Sequence, residues 1–245
     1  MTRKHRILFL SANPWTTGRI LVDEEAREIF ERIQEGPYRN RFELHKHTAT
    51  RAIDLQRFLF LHKPHILHFS GHGSKKHEII LGGVTGRGKT IDQQGLVKVL
   101  GHYSRHLRLV LLNACFTKTQ ARSLAEVIDY SIGTGKKIGD KGSVAFAGAF
   151  YRALSFGESI RDAFNSAKAE LEFRKVPRTQ GIELFVRDGI SEQDPFPLEI
   201  HDLTKLSPID LLWKTTEERF EITVFKTSVI TRSSVGMAYK VSNQQ

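Results

Sequence analysis

The chain has one cysteine, Cys115, and it sits just past an apolar run, Leu109-Val110-Leu111-Leu112, in the segment Asn113-Ala114-Cys115-Phe116. His72 stands in a matching place. It follows Ile66-Leu67-His68-Phe69 in the segment Ser70-Gly71-His72-Gly73. Both apolar runs read as buried strands. In open α/β sheets, sites form beyond the carboxyl ends of the strands, so two such residues meet in one crevice if their strands are neighbours. A thiol needs a nearby base to supply thiolate at neutral pH, and an imidazole is that base. Gly73 lacks a Cβ, so its backbone N–H can approach a reacting carbonyl and, with the N–H of Cys115, form an oxyanion hole. Taken alone, the cysteine reads as a buried and inert thiol. The His-Gly pair at an equivalent strand end is what favours chemistry.

Two further patterns compete. Gly83 to Thr90 matches G-x-x-x-x-G-K-[ST], the phosphate-cradling loop. That loop needs a buried strand before it, a helix opening at Lys89-Thr90 and a carboxylate at the end of an apolar strand. Here Glu78 to Leu81 is a weak strand, Asp92 caps a later helix, and Leu109 to Leu112 ends in Asn113. The expectation is a glycine-rich connection beside the site, with a nucleotide-binding switch as the lesser alternative. His62, His65, His68 and His72 are close in sequence and suggest a metal. Pro64 and the β-prone run between them imply a strand, on which His65 and His68 face opposite ways. No zinc is expected there, since no cysteine or carboxylate cluster joins them. His68 reads as a hydrogen-bonded core histidine.

The elements that must position these residues alternate. Strands are expected at Ile7–Leu10, Phe42–His47, Ile66–Phe69, Glu78–Leu81, Leu107–Leu112, Tyr130–Gly133 and Ile182–Val186. Val22, Ala26, Ile29, Phe30 and Ile33 recur at helical spacing, with Asp23, Glu24 and Glu25 in a first turn where negative charge suits the helix dipole. Thr50 and Asp92 are candidate caps for helices reaching Leu61 and Leu100. Thr117-x-x-Gln120 matches a capping box. Helices over 141–156 and 158–173 are divided by Gly157, and Asp140 reads as the N-cap of the first. Small residues such as Ala147 and Gly148 permit close packing of that helix. Strands alternating with helices predict a mostly parallel α/β sheet with helices on both faces. The stretch 190–245 changes character, with Pro195, Pro197 and Pro208 and a β-prone run from Phe220 to Tyr239, and reads as a linker and small C-terminal appendage to a domain over 1–189.

Composition sets bounds. The 245 residues, 40% hydrophobic and 26% charged, suffice for a proper core. A single cysteine excludes an intramolecular disulfide and fits a reducing cytoplasm. No apolar run reaches the length of a membrane span, and Ile7 to Leu10 is too short for a secretion signal. The net charge of +10 is spread along the chain. It reads as a basic, well-solvated surface more readily than as a nucleic-acid site, which it leaves open.

The sequence resembles the CHAT family of prokaryotic caspase-like peptidases, related to caspases, separase and gingipains. The segments Ile66–Gly73 and Val110–Cys115 carry the likeness, with Ile7–Pro14, Ile138-Gly139-Asp140 and Ala145–Leu154, over about residues 5–188. The resemblance implies the caspase-hemoglobinase fold and proteolysis by a dyad, with His72 as base and Cys115 as nucleophile. Gly73 and Cys115 would supply the oxyanion donors, and neither metal nor organic cofactor is implied. Candidate substrate-binding positions are Asn13, Asn113 and Asp140, and Trp15 and Phe116, which flank the predicted crevice, read equally as pocket walls or as ordinary packing. In the related peptidases the residue two before the nucleophile floors the primary pocket. Asn113 is neutral there, which predicts no strong demand for arginine or lysine in the substrate. The resulting expectation is a cytoplasmic cysteine endopeptidase that cuts a protein partner in a regulated signalling or defence pathway. Family members are often joined to sensor domains, and a regulatory protein partner is expected here. A non-catalytic adaptor of the same fold is the alternative.

Overall fold

In a computed structural model that describes residues 4–17, 20–83, 85–177 and 179–191, the first strand shows why the sheet is central. In β1 (His5–Ser11), Ile7 and Phe9 point to one face and Leu8 and Leu10 to the other, and all are buried. A strand apolar on both faces needs cover on both, which parallel α/β sheets provide with helices. Ile7 and Phe9 share a core with α1 (Val22–Glu35), α5 (Asp140–Ser155) and α6 (Ile160–Phe173). Leu8 and Leu10 share one with α2 (Leu55–His62), α3 (Gln93–Gly101) and α4 (Lys118–Leu124).

The main sheet runs β2 (Phe42–His47), β1, β3 (Ile66–Ser70), β7 (Leu109–Asn113), β8 (Tyr130–Thr134), β9 (Ile182–Val186). All its pairings are parallel except β8 with β9. A separate three-stranded antiparallel sheet joins β4 (His72–Gly73), β5 (Ile79–Gly82) and β6 (Gly88–Ile91). The expected mostly parallel sheet sandwiched by helices is the one observed. The proposed appendage falls almost wholly on residues 192–245, outside the described residues.

Several local expectations need correction. Thr50 does not cap α2: its backbone N–H donates to Ser11 O (2.8 Å) and its hydroxyl to His47 O (3.3 Å), while a 3-10 turn at Ala52–Asp54 leads into the helix. The capping box at Thr117 does not form. The Thr117 hydroxyl instead donates to Ala114 O and Leu112 O (2.9 and 3.1 Å), tying down the loop before it. Asp140 is the first residue of α5, and Gly139 occupies the N-cap. Asp92 caps α3 as expected, accepting from the Gly95 N–H at 2.7 Å. The Gly83–Thr90 stretch closes a hairpin. Leu81 pairs with Lys89 and Ile80 with Thr90, so the lysine and threonine lie on a strand where a phosphate loop would open a helix.

Candidate active site

β3 and β7 are adjacent and parallel, with Ser70 opposite Asn113. Beyond this pair the Gly71 N–H donates to Asn113 O (3.3 Å), and the strands then part. His72 and Cys115 each follow by two residues. Both are half-buried, and both line one cleft of about 390 Å³. The Cys115 thiol faces Ile138 O at 3.9 Å, a weak contact that leaves the sulfur available.

The loop carrying the thiol is tightly held. Besides its two donated bonds, the Thr117 hydroxyl accepts from the Thr134 N–H at 3.1 Å, linking the loop to β8. Phe116 adopts a left-handed backbone (φ 61°), uncommon for a non-glycine residue, and the His77 ring Nδ1 bonds its carbonyl at 2.9 Å. A carbonyl can only accept, so that nitrogen carries the proton. Gly73 lies against the backbone of Cys115. A Cβ at this position would stand 1.8 Å from the Cys115 carbonyl oxygen, so no side chain fits.

Behind His72 and Cys115 lies a polar group inside an otherwise apolar core. Glu25, on α1, is 2% exposed. Its carboxylate accepts from His68 Nε2 (2.7 Å), from the Ser70 hydroxyl (2.6 Å) and from the Asn113 amide. The Asn113 amide also donates to Ser143 O (3.2 Å), and His68 Nδ1 meets the Tyr151 hydroxyl at 3.2 Å. Burial, followed by the Glu25 charge, raises the Tyr151 phenol well above its ordinary range, so it keeps its proton. His68 thus bonds through both ring nitrogens, Nε2 to Glu25 and Nδ1 to Tyr151. His68 is therefore the bonded core histidine that the sequence predicts.

The structure brings His72, Cys115, Asn113 and Asp140 to one cleft. Asn13 is not part of its lining; it borders a neighbouring hollow of about 320 Å³ that shares Ile20 and Leu21. Trp15 also stands away, 68% exposed, with Arg87 over its ring at 5.8 Å. The clustered histidines disperse: His65 accepts from the Arg6 N–H, while His62 meets His47. Among the described residues no group of three or more potential ligands is placed to hold a metal, and no helix is long and apolar enough to cross a membrane. Sequence reasoning missed Glu25 by reading it as a dipole-compensating acid. Its spacing from Val22 and Ile29 places it on the buried face of α1, and that was the available signal.

No protein-family model matches the chain. It is 25% identical over 181 residues to a Roc-COR-CHAT protease from an unknown prokaryotic organism, covering 70% of this chain and 17% of that protein. A probable protease of Gillisia limnaea is 22% identical over 169 residues, covering 68% and 28% respectively. In fold the chain is similar to the Arg-specific cysteine proteinase gingipain R, with a TM-score of 0.54, 12% identity, and coverage of 78% of this chain and 48% of the other. The chain thus spans well under half the length of its curated relatives. The six-stranded sheet and its flanking helices are those of the caspase-hemoglobinase fold. With the protease relatives, this bears out the resemblance to the CHAT family of caspase-like cysteine peptidases.

Proposed function

We propose that this chain is a cysteine endopeptidase in which Cys115 is the nucleophile and His72 its base. The observation that carries the reading is that both residues leave adjacent parallel strands at the same register and line one cleft. The Cys115 sulfur adds to the peptide carbonyl as His72 takes the thiol proton. The N–H groups of Gly73 and Cys115 hold the oxyanion, and the tetrahedral adduct collapses to a thioester as His72 protonates the leaving amine. Water then attacks the thioester with His72 again as base. Asn113 and Asp140 meet the substrate side chain. Neither a metal nor an organic cofactor is needed. The substrate is a protein, and the setting is a cytoplasmic, prokaryotic signalling or defence pathway governed by a regulatory partner.

The test is direct. Cys115→Ala should abolish peptide hydrolysis while changing stability by about 1 kcal/mol or less, an ordinary single-substitution cost. His72→Ala should lower activity comparably, because nucleophile and base act as a unit. Iodoacetamide should alkylate the native thiol faster as pH rises and thiolate accumulates. A native thiol that never reacts, with hydrolysis unchanged in Cys115→Ala, would overturn the assignment.

A further inference from the structure

We infer that the mouth of the cleft is a cationic rim that receives an acidic segment of the protein substrate, with aspartate or glutamate on both sides of the bond to be cut. The inference rests on the peptidase reading and names the substrate class that reading leaves open. Two loops carry the rim. Lys75 and Lys76 lie on the turn between β4 and β5, next to His77, whose ring bonds the Phe116 carbonyl at 2.9 Å. Lys136 and Lys137 lie between β8 and α5, next to Ile138, whose carbonyl faces the Cys115 sulfur at 3.9 Å. The loops reach the thiol from opposite faces of the sheet. Ile79 and Leu81, just after the first, pack into the core shared with α2, α3 and α4, whereas Ile138 packs into the core shared with α1, α5 and α6. A lysine pair therefore stands on each side of Cys115.

This charge is not balanced within the chain. All four lysines are exposed, and so is Lys141 in the first turn of α5. Elsewhere Lys46 pairs with Asp23 and Lys118 with Glu183, both at 2.8 Å. Among the described residues none of the five rim lysines stands in an ion pair. The nearby carboxylates are Asp140, Glu78, which accepts from the Ser74 hydroxyl at 3.0 Å, and Glu183, which Lys118 already holds. Lys141 also sits at the positive end of the α5 dipole, where a cation works against the helix, so helix stability does not explain it. The backbone that presents Lys75 and Lys76 is pre-organised: the Ser74 N–H donates to Glu78 O (2.8 Å), the His77 N–H to Ser74 O (3.0 Å) and the Lys76 N–H to the Ser74 hydroxyl (3.1 Å). A single exposed pair contributes little, but like charges gathered at a cleft add their fields and concentrate the opposite charge there. Neither loop carries a Phe, Tyr or Trp on which a base could stack, so an acidic polypeptide fits the rim better than a nucleic acid.

The probes are internally quenched peptides with a randomised centre, flanked on both sides by glutamate, serine or lysine. The native chain should cleave the glutamate-flanked set about 10-fold better, by kcat/KM, than the serine-flanked set at low salt, the lower end of electrostatic steering. That preference should vanish between about 0.01 M and about 1 M salt, as the Debye length shrinks from about 30 Å to about 3 Å. Lys75→Glu with Lys76→Glu, and Lys136→Glu with Lys141→Glu, should each cut the preference about threefold, since rim charges act on association. All four together should reverse it toward the lysine-flanked set. In parallel, fluorescence anisotropy of the Cys115→Ala chain should show the glutamate-flanked peptides binding more tightly than the serine-flanked ones and than an oligothymidylate of matched charge. Equal handling of glutamate and serine flanks at low salt would overturn the inference, as would a preference that survives all four substitutions. Tighter binding of the oligothymidylate would overturn it in favour of a nucleic-acid surface. No cleavage of any set, together with an unreactive native thiol, would overturn the peptidase reading, and the anisotropy would still decide the rim.

Discussion

At Gly73 two backbones meet so closely that one added carbon atom decides the outcome. A Cβ would lie 1.8 Å from the Cys115 carbonyl oxygen, so Gly73→Ala must displace the Cys115 loop or the strand that carries His72. Loss of one aligned oxyanion donor costs about 100-fold or more in kcat, and Gly73→Ala should cost at least that, measured on the best peptide substrate. A second residue-scale prediction concerns pH. His47 and His62 share one hydrogen bond, Nε2 to Nε2 at 2.7 Å, which requires at least one ring to be neutral. Burial, then the charges of His45 and Arg57, hold His47 below its ordinary value of 6.5, and burial, then His45 and His47, do the same for His62. Below that value the unfolded chain binds more protons than the folded one, so stability is lost as pH falls. The thermal midpoint should drop between about pH 7.5 and about pH 5.5, and His62→Gln should flatten the slope. Of the cleft residues, the places of His72 and Cys115 were legible because each follows an unmistakable apolar strand. Glu25 was not, because a first-turn acid on an amphipathic helix has an ordinary explanation, and its partners lie more than 40 residues away in sequence.

At the scale of elements, the glycine-rich hairpin between β5 and β6 shows how a motif can match in letters and fail in geometry. Its turn is closed by the Gly83 N–H on Arg87 O (2.6 Å), with Gly86 at φ 79°, and the Gly88 N–H donates to the Thr16 hydroxyl at 3.1 Å. Among the described residues, the Gly83, Gly86 and Gly88 N–H groups that a phosphate would need are spent on the turn and on Thr16. Lys89→Ala should leave peptide hydrolysis within about threefold, the range of an exposed substitution away from the site. Calorimetry with ATP and magnesium should show no micromolar binding. The core strands were legible because Ile7–Leu10 and Leu109–Leu112 are unbroken apolar runs, and the edge strand Ile182–Val186, which Glu183 interrupts, was read to the residue as well. The caps were not, since Thr50 and Thr117 spend their hydroxyls on neighbouring carbonyls, and a local pattern does not reveal that competition.

For the molecule as a whole, β9 closes the main sheet in the opposite sense to its neighbours, and the Tyr130 hydroxyl donates to Ser191 O (2.7 Å) just beyond it. A chain ending after Ser191 should remain folded and keep its alkylable thiol, whereas one ending at Gly181 loses the edge strand and should be insoluble or unfolded. Far-ultraviolet dichroism and thiol labelling distinguish the two. The overall architecture was legible because alternating strands and helices admit few arrangements. The spatial order of the strands was not, since nothing local fixes β7 beside β3.

That adjacency has a consequence for how the gene can change. Each member of the proposed dyad is aimed by the phase of the strand before it, and successive strand residues face opposite sides. Deleting one codon within Leu109–Ala114 or Ile66–Gly71 would turn the thiol or the imidazole to the wrong face and silence the site outright. The coding stretch between them, which holds the hairpin and α3, carries no such phase. Extra residues at the Gly83–Gly88 turn lengthen a surface loop at small entropic cost, leaving the two strands to find each other as before.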